Sequence, residues 1–374
     1  MVPIWGFALR VIAIANQKGG CGKTTTSINF AACLASLQKK TLLLDLDPQG
    51  HSTCGLGIKA SENAVSLYDF LTPLRLSKLD FSKALYEINP SFFVMPTYGI
   101  LGALEEELMM LPDKDRRLKN LLLSPSCLPL QFEYVVIDCP PNLGLLSLSA
   151  LEAADEVIIP IEPSFFSLHG LAKISETVAQ VNQRRERPLQ THALLTLFNS
   201  ETRFAEEVFE EVKAHFKDRL FTTIIHENVL LRESASAGQS IADYAPASPA
   251  GRDYLHLATE YLEKQWDRIL PPQKLGWENV LRQHYGPRRV PGGILFQIAS
   301  KNARWVEIAG DFNHWIPEPL VRRSDEGVWQ KVIPMAPGTF RYKYIIDGEW
   351  QIDPYLPTQM LNAYGTFDSY LELA

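Results

Sequence analysis

The chain has five cysteines among 374 residues, all before residue 140, with no paired spacing and no metal-ligand spacing. That pattern gives neither a disulfide framework nor a zinc site, and it fits a reduced cytoplasm. Long apolar runs are missing too. A run such as Val157-Ile158-Ile159-Pro160-Ile161 is far too short to cross a bilayer, so no transmembrane helix is expected. The first ten residues lack the basic start and long apolar centre of a secretory leader. Basic excess is also absent: residues 1–265 carry a net charge of −7, residues 266–290 +3 and residues 291–374 −3. No region advertises nucleic-acid binding by charge alone.

What is present divides in two. From residue 10 to about 265, short β-rich apolar runs alternate with helical patterns, which predicts βαβ units and a mainly parallel, doubly wound sheet. Strands are expected at Val11–Ala15, Thr41–Asp45, Phe92–Met95, Tyr134–Asp138, Glu156–Ile161, His192–Phe198 and Phe221–Ile225. Residues 266–290, with Pro271-Pro272 and Arg288-Arg289, read as a linker with one short helix at Trp277–His284. From 291 to 374, aromatic and β-branched runs separated by turns such as Asp347-Gly348 predict a small antiparallel, immunoglobulin-like β-sandwich.

Lys18-Gly19-Gly20-Cys21-Gly22-Lys23-Thr24-Thr25 lies between a predicted strand and a predicted helix, the context a phosphate-binding P-loop needs. The glycines allow backbone N–H groups to point at phosphate oxygens, and the helix adds its positive end. Lys23 would neutralise the β- and γ-phosphates of ATP, and the Thr24 hydroxyl would ligate Mg²⁺. Asp45 and Asp47 end one predicted strand and Asp138 ends another. In an open α/β sheet such strand ends converge on the ligand. Each aspartate alone is as readily a cap or turn residue; three placed this way read as a site.

Lys18-Gly-Gly-x-Gly-Lys23-Thr-Thr resembles the deviant Walker A motif of the ParA/Soj and MinD ATPases. Leu44-Asp-Leu-Asp-Pro-Gln-Gly50 and Asp138-Cys-Pro-Pro141 resemble the Walker A′ and B motifs of the ParA/Soj branch. The resemblance covers about residues 10–265 and implies slow, Mg²⁺-dependent ATP hydrolysis timing a homodimer. It implies that Lys18 reaches the partner's phosphates, that Asp47 positions the attacking water, and that Asp45 and Asp138 support Mg²⁺. It places Asn199 and the Pro246 loop near the adenine. It also leaves room for a protein partner that stimulates hydrolysis. ParA/Soj proteins usually bind DNA non-specifically through arginines, but Glu227, Leu230 and Ala247 stand where arginines are common. Reversing that charge weakens phosphate affinity. The basic amphipathic helix that takes MinD-type proteins to membranes is not evident.

Val306-Glu-Ile-Ala-Gly-Asp-Phe-Asn-His-Trp315 and Pro337–Pro354 resemble the glycogen-binding module of AMPK β subunits and the N-terminal domains of isoamylase-type enzymes. By that resemblance Trp315 and Trp350 stack on an α-glucan, and Lys343 and Thr366 hydrogen-bond its hydroxyls. Tyr364 presses into the glucan, and Asp368 replaces a frequent Asn. Flat indoles suit the C–H face of glucose. A tryptophan on a small sandwich is also often core, and related modules often act as spacers.

Overall fold

The computed structural model describes residues 9–373 apart from 60–64, 73–79, 98–100, 112, 165–166, 200–202, 265–284, 324–326, 357 and 363. The chain divides into two compact units, Met1–Leu275 and Gly276–Ala374.

In the first unit the strands are β1 (Arg10–Ile14), β2 (Thr41–Asp45), β3 (Tyr86–Asn89), β4 (Phe92–Met95), β5 (Tyr134–Asp138), β6 (Glu156–Ile161) and β7 (Gln190–Leu195). They form one sheet in the order β3-β4-β2-β5-β1-β6-β7. Every pairing is parallel except β3 with β4. The helices, in chain order, are α1 (Lys23–Ser36), α2 (His51–Gly55), α3 (Leu67–Leu71), α4 (Leu101–Met109), α5 (Arg117–Leu122) and α6 (Leu145–Ala153). Then come α7 (Ser167–Asn182), α8 (Arg203–Phe216), α9 (Val229–Ser236), α10 (Ile241–Tyr244) and α11 (Pro249–Glu263).

Successive residues of β1, β2 and β5 are buried irrespective of parity, as strands covered on both faces require. On one face Ile12, Leu43, Val136, Ile158 and Leu194 pack with Phe30 and Leu34 of α1 and with Tyr254, Leu257 and Tyr261 of α11. Each such buried side chain stabilises the unit by about 1.5–3 kcal/mol of water-avoiding surface. This packing fixes α1 over the strand ends that carry the aspartates.

Two differences from the sequence expectation have clear causes. Phe221–Ile225 forms no continuous strand. Phe221 and Ile225 donate to Ala193 and Leu195 of β7, each at 2.9 Å, but the N–H groups of Thr222 and Thr223 go to the Glu260 carboxylate, both at 2.8 Å. A side chain has taken donors that a ladder would need. Strand β3 was not expected, because Tyr86-Glu87-Ile88-Asn89 alternates over only four mostly exposed residues. It is a polar edge strand.

The second unit has β8 (Arg288–Val290), β9 (Gly293–Ala299), β10 (Val306–Gly310), β11 (Glu318–Pro319), β12 (Val321–Arg322), β13 (Val328–Ile333), β14 (Gly338–Ile346), β15 (Glu349–Gln351), β16 (Gln359–Leu361) and β17 (Phe367–Leu373). Two antiparallel sheets result, β12-β13-β9-β8 and β11-β10-β14-β17-β16, with β15 on β14. Phe296, Ile298 and Trp329 from one sheet meet Val306, Ile308, Tyr342, Tyr344 and Leu371 from the other. This is the expected sandwich core.

The sandwich begins earlier than the sequence suggested. Arg288–Val290, inside the segment read as linker, pairs with β9. The connecting turn depends on Gly293, whose φ is +146° and where a Cβ would lie 2.2 Å from the Ile333 carbonyl oxygen. The helix expected at 277–284 lies outside the described residues.

Candidate functional site

The loop after β1 is shaped by Gly20 and Gly22, at φ +77° and +83°, with Gly22 capping α1 in the left-handed conformation. The Thr196 hydroxyl donates to the Cys21 carbonyl at 2.9 Å and pins the loop from β7's end. Cys21 itself is fully buried. Burial pushes its thiol pKa up, which makes it a packing group and not a reactive one. Lys23 Nζ donates to the Lys18 carbonyl at 2.7 Å, so the lysine already arches over the loop. Lys18 turns the other way, pairing with Glu162 and donating to Ser164.

The aspartates separate into distinct tasks. Asp138 is fully buried and accepts from Ser27 at 2.8 Å and Ser52 at 2.6 Å, with the Thr24 hydroxyl also acting on it. Burial raises its pKa first, and the three hydroxyls pull it back toward the anion. Asp45 is its neighbour in register across β2 and β5. Like Asp138 it is fully buried. Its Oδ2 accepts from Thr53 N at 2.8 Å and Thr53 Oγ1 at 2.6 Å, and its Oδ1 from Asp47 N at 3.2 Å. With both oxygens taken it braces the turn that carries Asp47. Burial is the main cause that raises its pKa as well, with the Asp138 charge second. Asp47 accepts from Gln49 N at 3.0 Å through Oδ1, while His51 Nδ1 lies 3.6 Å from Oδ2.

These parts surround a cleft of about 650 Å³. Gly19, Gly20, Gly22, Lys23, Thr24 and Thr25 line one side, Asp47, Gln49 and His51 another, and Asn228, Leu231 and Arg232 of the α9 region a third. Cys21, Lys18, Asp45 and Asp138 are not part of this lining. Asn199 and Pro246 are exposed and lie outside it. Sequence reasoning missed Ser27 and Ser52. Ser27 had a readable signal, since four residues after Lys23 it lies on the same face of α1. Ser52 had none, because only the fold brings it to Asp138. An all-oxygen set of Thr24 hydroxyl and a hydroxyl-held Asp138 carboxylate fits Mg²⁺.

The second unit carries its own groove, of about 1190 Å³. It is lined by all six residues expected from the sequence, Trp315, Lys343, Trp350, Tyr364, Thr366 and Asp368, together with Arg341, Asn362 and Phe367. The Trp315 and Trp350 rings lie 6.3 Å apart with planes tilted by 31°. Lys343 Nζ donates to Thr366 Oγ1 at 3.1 Å and lies 3.2 Å from Asp368. Asn362, absent from the expectation, donates to Thr366 Oγ1 at 2.8 Å and Asp368 Oδ1 at 2.7 Å. Its own Oδ1 accepts from the N–H groups of Tyr364 and Thr366. Tyr364 stands 92% exposed at the tip of this turn.

A parallel sheet whose first strand runs into a glycine loop and helix, with acids at the neighbouring strand ends, defines a P-loop NTPase. The chain belongs to the ParA/Soj family of P-loop ATPases. It is 40% identical over 252 residues to the sporulation initiation inhibitor protein Soj of Bacillus subtilis, covering 67% of this chain and 97% of that protein. It is 38% identical to the chromosome partitioning protein ParA of Myxococcus xanthus, covering 70% and 90%. Residues 9–191 match the family described as an AAA domain, and residues 296–374 match the glycogen recognition site of AMP-activated protein kinase.

Among solved structures, cobyrinic acid a,c-diamide synthase from Mycobacterium smegmatis with bound ADP and magnesium is similar at a TM-score of 0.59. It is 30% identical and covers 71% of this chain and 98% of that one. A variant of Cyanothece McdA in complex with ATP shares the fold at a TM-score of 0.60 and 23% identity, covering 69% and 97%. The chain is thus an ATPase with a second domain of glycogen-recognition type. Among the described residues no helix is long and apolar enough to cross a membrane.

Proposed function

We propose that this protein is a nucleotide-driven dimer switch that acts on α-glucan, with ATP hydrolysis timing the attachment or placement of a glucan-bound cargo. The observation that carries the reading is the Trp315–Trp350 groove on the same chain as a complete P-loop site. The match to Bacillus subtilis Soj takes up 97% of that protein but only 67% of this chain, so the module is an addition to the shared ATPase.

In this reading the P-loop N–H groups and Lys23 hold the β- and γ-phosphates of ATP, and Asp47 orients the attacking water. Mg²⁺ bound at Thr24, with Asp138 behind it, supplies charge to the phosphates. Lys18 leaves Glu162 and Ser164 to reach the phosphates of a partner copy. Asn199 and the Pro246 loop approach the adenine. In this reading the ATPase occupies residues 1–265, and the sugar-binding module is residues 291–374 with Arg288–Val290 added at its start.

Retention of the full chain on glycogen, measured with ATP and with ADP, tests the proposal. Retention that persists unchanged in Trp315→Ala/Trp350→Ala overturns the glucan part. The partitioning names of the relatives favour a second reading, in which the ATP dimer binds DNA and the module is a spacer. Glu227, paired with Arg232 at 3.3 Å, weighs against it. ATP-dependent co-sedimentation with duplex DNA that weakens with salt would favour that reading over the first.

A further inference from the structure

The Trp315 indole is not held by packing alone. Gly310 ends β10 at a point where a Cβ would lie 2.5 Å from the Arg341 carbonyl oxygen and 2.7 Å from the Tyr342 Cβ, so only glycine lets the next residues turn over β14. Asn313 closes that turn, accepting from Gly310 N at 2.8 Å and donating to the Ile308 carbonyl at 3.2 Å. His314 and Trp315 then follow with φ of +57° and +61°. Two successive non-glycine residues in the left-handed region are unfavourable and persist only where the surroundings over-determine them. The surroundings here converge on one carboxylate. Asp311 Oδ1 accepts from Trp315 Nε1 at 2.9 Å, and Oδ2 accepts from Arg341 N at 2.8 Å and Arg341 Nε at 3.3 Å.

We propose that Asp311 is a positioning and specificity-determining residue of the groove, fixing the Trp315 indole as a wedge against Trp350 so that the site selects a curved glucan chain. The inference rests on the glucan reading above. A ring held at one end only by Cα would rotate about its side-chain bonds. A ring whose far N–H is also tied cannot, and its plane becomes part of the site's shape. The two planes meet at 31°, so successive sugars stacked on them must turn relative to each other. A ribbon-like β-1,4-glucan presents coplanar faces, whereas an α-1,4-glucan turns from residue to residue. Arg341 lines the groove with its charge already answered by Asp311, which keeps it a hydrogen-bond donor to neutral hydroxyls and not an anion trap. Neither Asp311 nor Arg341 follows from tryptophan stacking alone. The pairing joins residues 30 apart in sequence through the β10–β14 register.

The experiment uses the full chain and calorimetric binding of maltoheptaose and cellohexaose, with near-UV circular dichroism of the same samples. Two indoles 6.3 Å apart couple excitonically, so their mutual orientation has its own spectral signature. The wild type should prefer maltoheptaose by about tenfold or more, a margin typical of contacts that depend on one geometry. Asp311→Ala should weaken maltoheptaose by about tenfold, narrow that preference and change the indole signal while the far-UV spectrum stays the same. Asp311→Asn, which keeps an oxygen for the indole N–H, should restore the indole signal and most of the preference. Unchanged affinity, preference and indole signal in Asp311→Ala overturn the proposal, as does lost affinity with both preference and signal intact. Wild-type protein that binds neither sugar refutes the glucan reading. In that case the indole signal of Asp311→Ala against Asp311→Asn still decides whether Asp311 sets the ring geometry.

Discussion

The Ser27 hydroxyl donates to Asp138 Oδ1 at 2.8 Å, tying the helix that follows the P-loop to the end of β5. Ser52 holds the other oxygen, so these hydroxyls favour the anion of a carboxylate whose burial pushes its pKa up. Ser27→Ala should cost about 1–3 kcal/mol, since it strands part of a buried carboxylate. It should also raise the Mg²⁺ concentration needed for half-maximal ATP turnover. Urea unfolding and a Mg²⁺ titration check both. A lost stability with an unchanged Mg²⁺ requirement would confine Ser27 to a structural role.

Asp47 reaches the cleft with one oxygen bound to Gln49 N and the other facing His51. Asp47→Asn should lower kcat by about 100-fold, the scale of a lost water-orienting group, while leaving ATP affinity nearly unchanged. Lys23→Ala should lose ATP binding itself. Steady-state hydrolysis together with nucleotide binding by fluorescence separates the two. Equal losses of binding in both variants would remove Asp47 from the water-positioning role.

Lys18 is held by Glu162 and Ser164 instead of reaching into its own cleft. Lys18→Ala should therefore retain ATP binding and lose ATP-dependent dimerisation, with hydrolysis falling by about tenfold or more. Sedimentation with a non-hydrolysable ATP analogue measures the dimer. A Lys18→Ala protein that dimerises and hydrolyses like wild type would end the trans-acting assignment.

Glu156 is fully buried beside His192 and pairs with Arg10 at 2.8 Å. Burial pushes its pKa up to about 7, with Arg10 acting in the opposite direction. Its native pKa thus lies above that of an exposed glutamate, so its contribution to stability is full below about pH 4 and is lost as pH rises through about 7. Between about pH 5 and pH 8, Glu156→Gln should be less sensitive to rising pH than wild type, by up to about 3 kcal/mol. Urea midpoints at the two pH values check the difference. Parallel pH dependences in the two proteins would contradict it.

Much of this was legible before any coordinates. The apolar runs ending in Asp45 and Asp138 became adjacent strands, and Gly19, Gly20 and Gly22–Thr25 became the wall of a cleft, because buried strands and glycine loops are local signals. Phe221–Ile225 misled, since its apolar character was real but Glu260, some 37 residues away, claimed its amide donors. For Asp45 the strand end was legible, while its hydrogen-bond partner Thr53 is known only once α2 folds back. Asn362 was not among the residues expected, and only β16–β17 pairing shows it bridging Thr366 and Asp368.

By itself the sequence determined the two kinds of fold and the phosphate loop with its lysine, and its resemblance to glycogen-binding modules pointed to the six groove residues. The fold pattern and the loop depend on residue type and near spacing, which fix backbone conformation locally. Tertiary structure alone decided which carboxylates face the cleft and which brace it, where Lys18 rests, and at what angle Trp315 meets Trp350. These are orientations, set by hydrogen-bond partners brought from distant strands, and a carboxylate or an indole N–H takes whichever partner the fold delivers within about 3 Å.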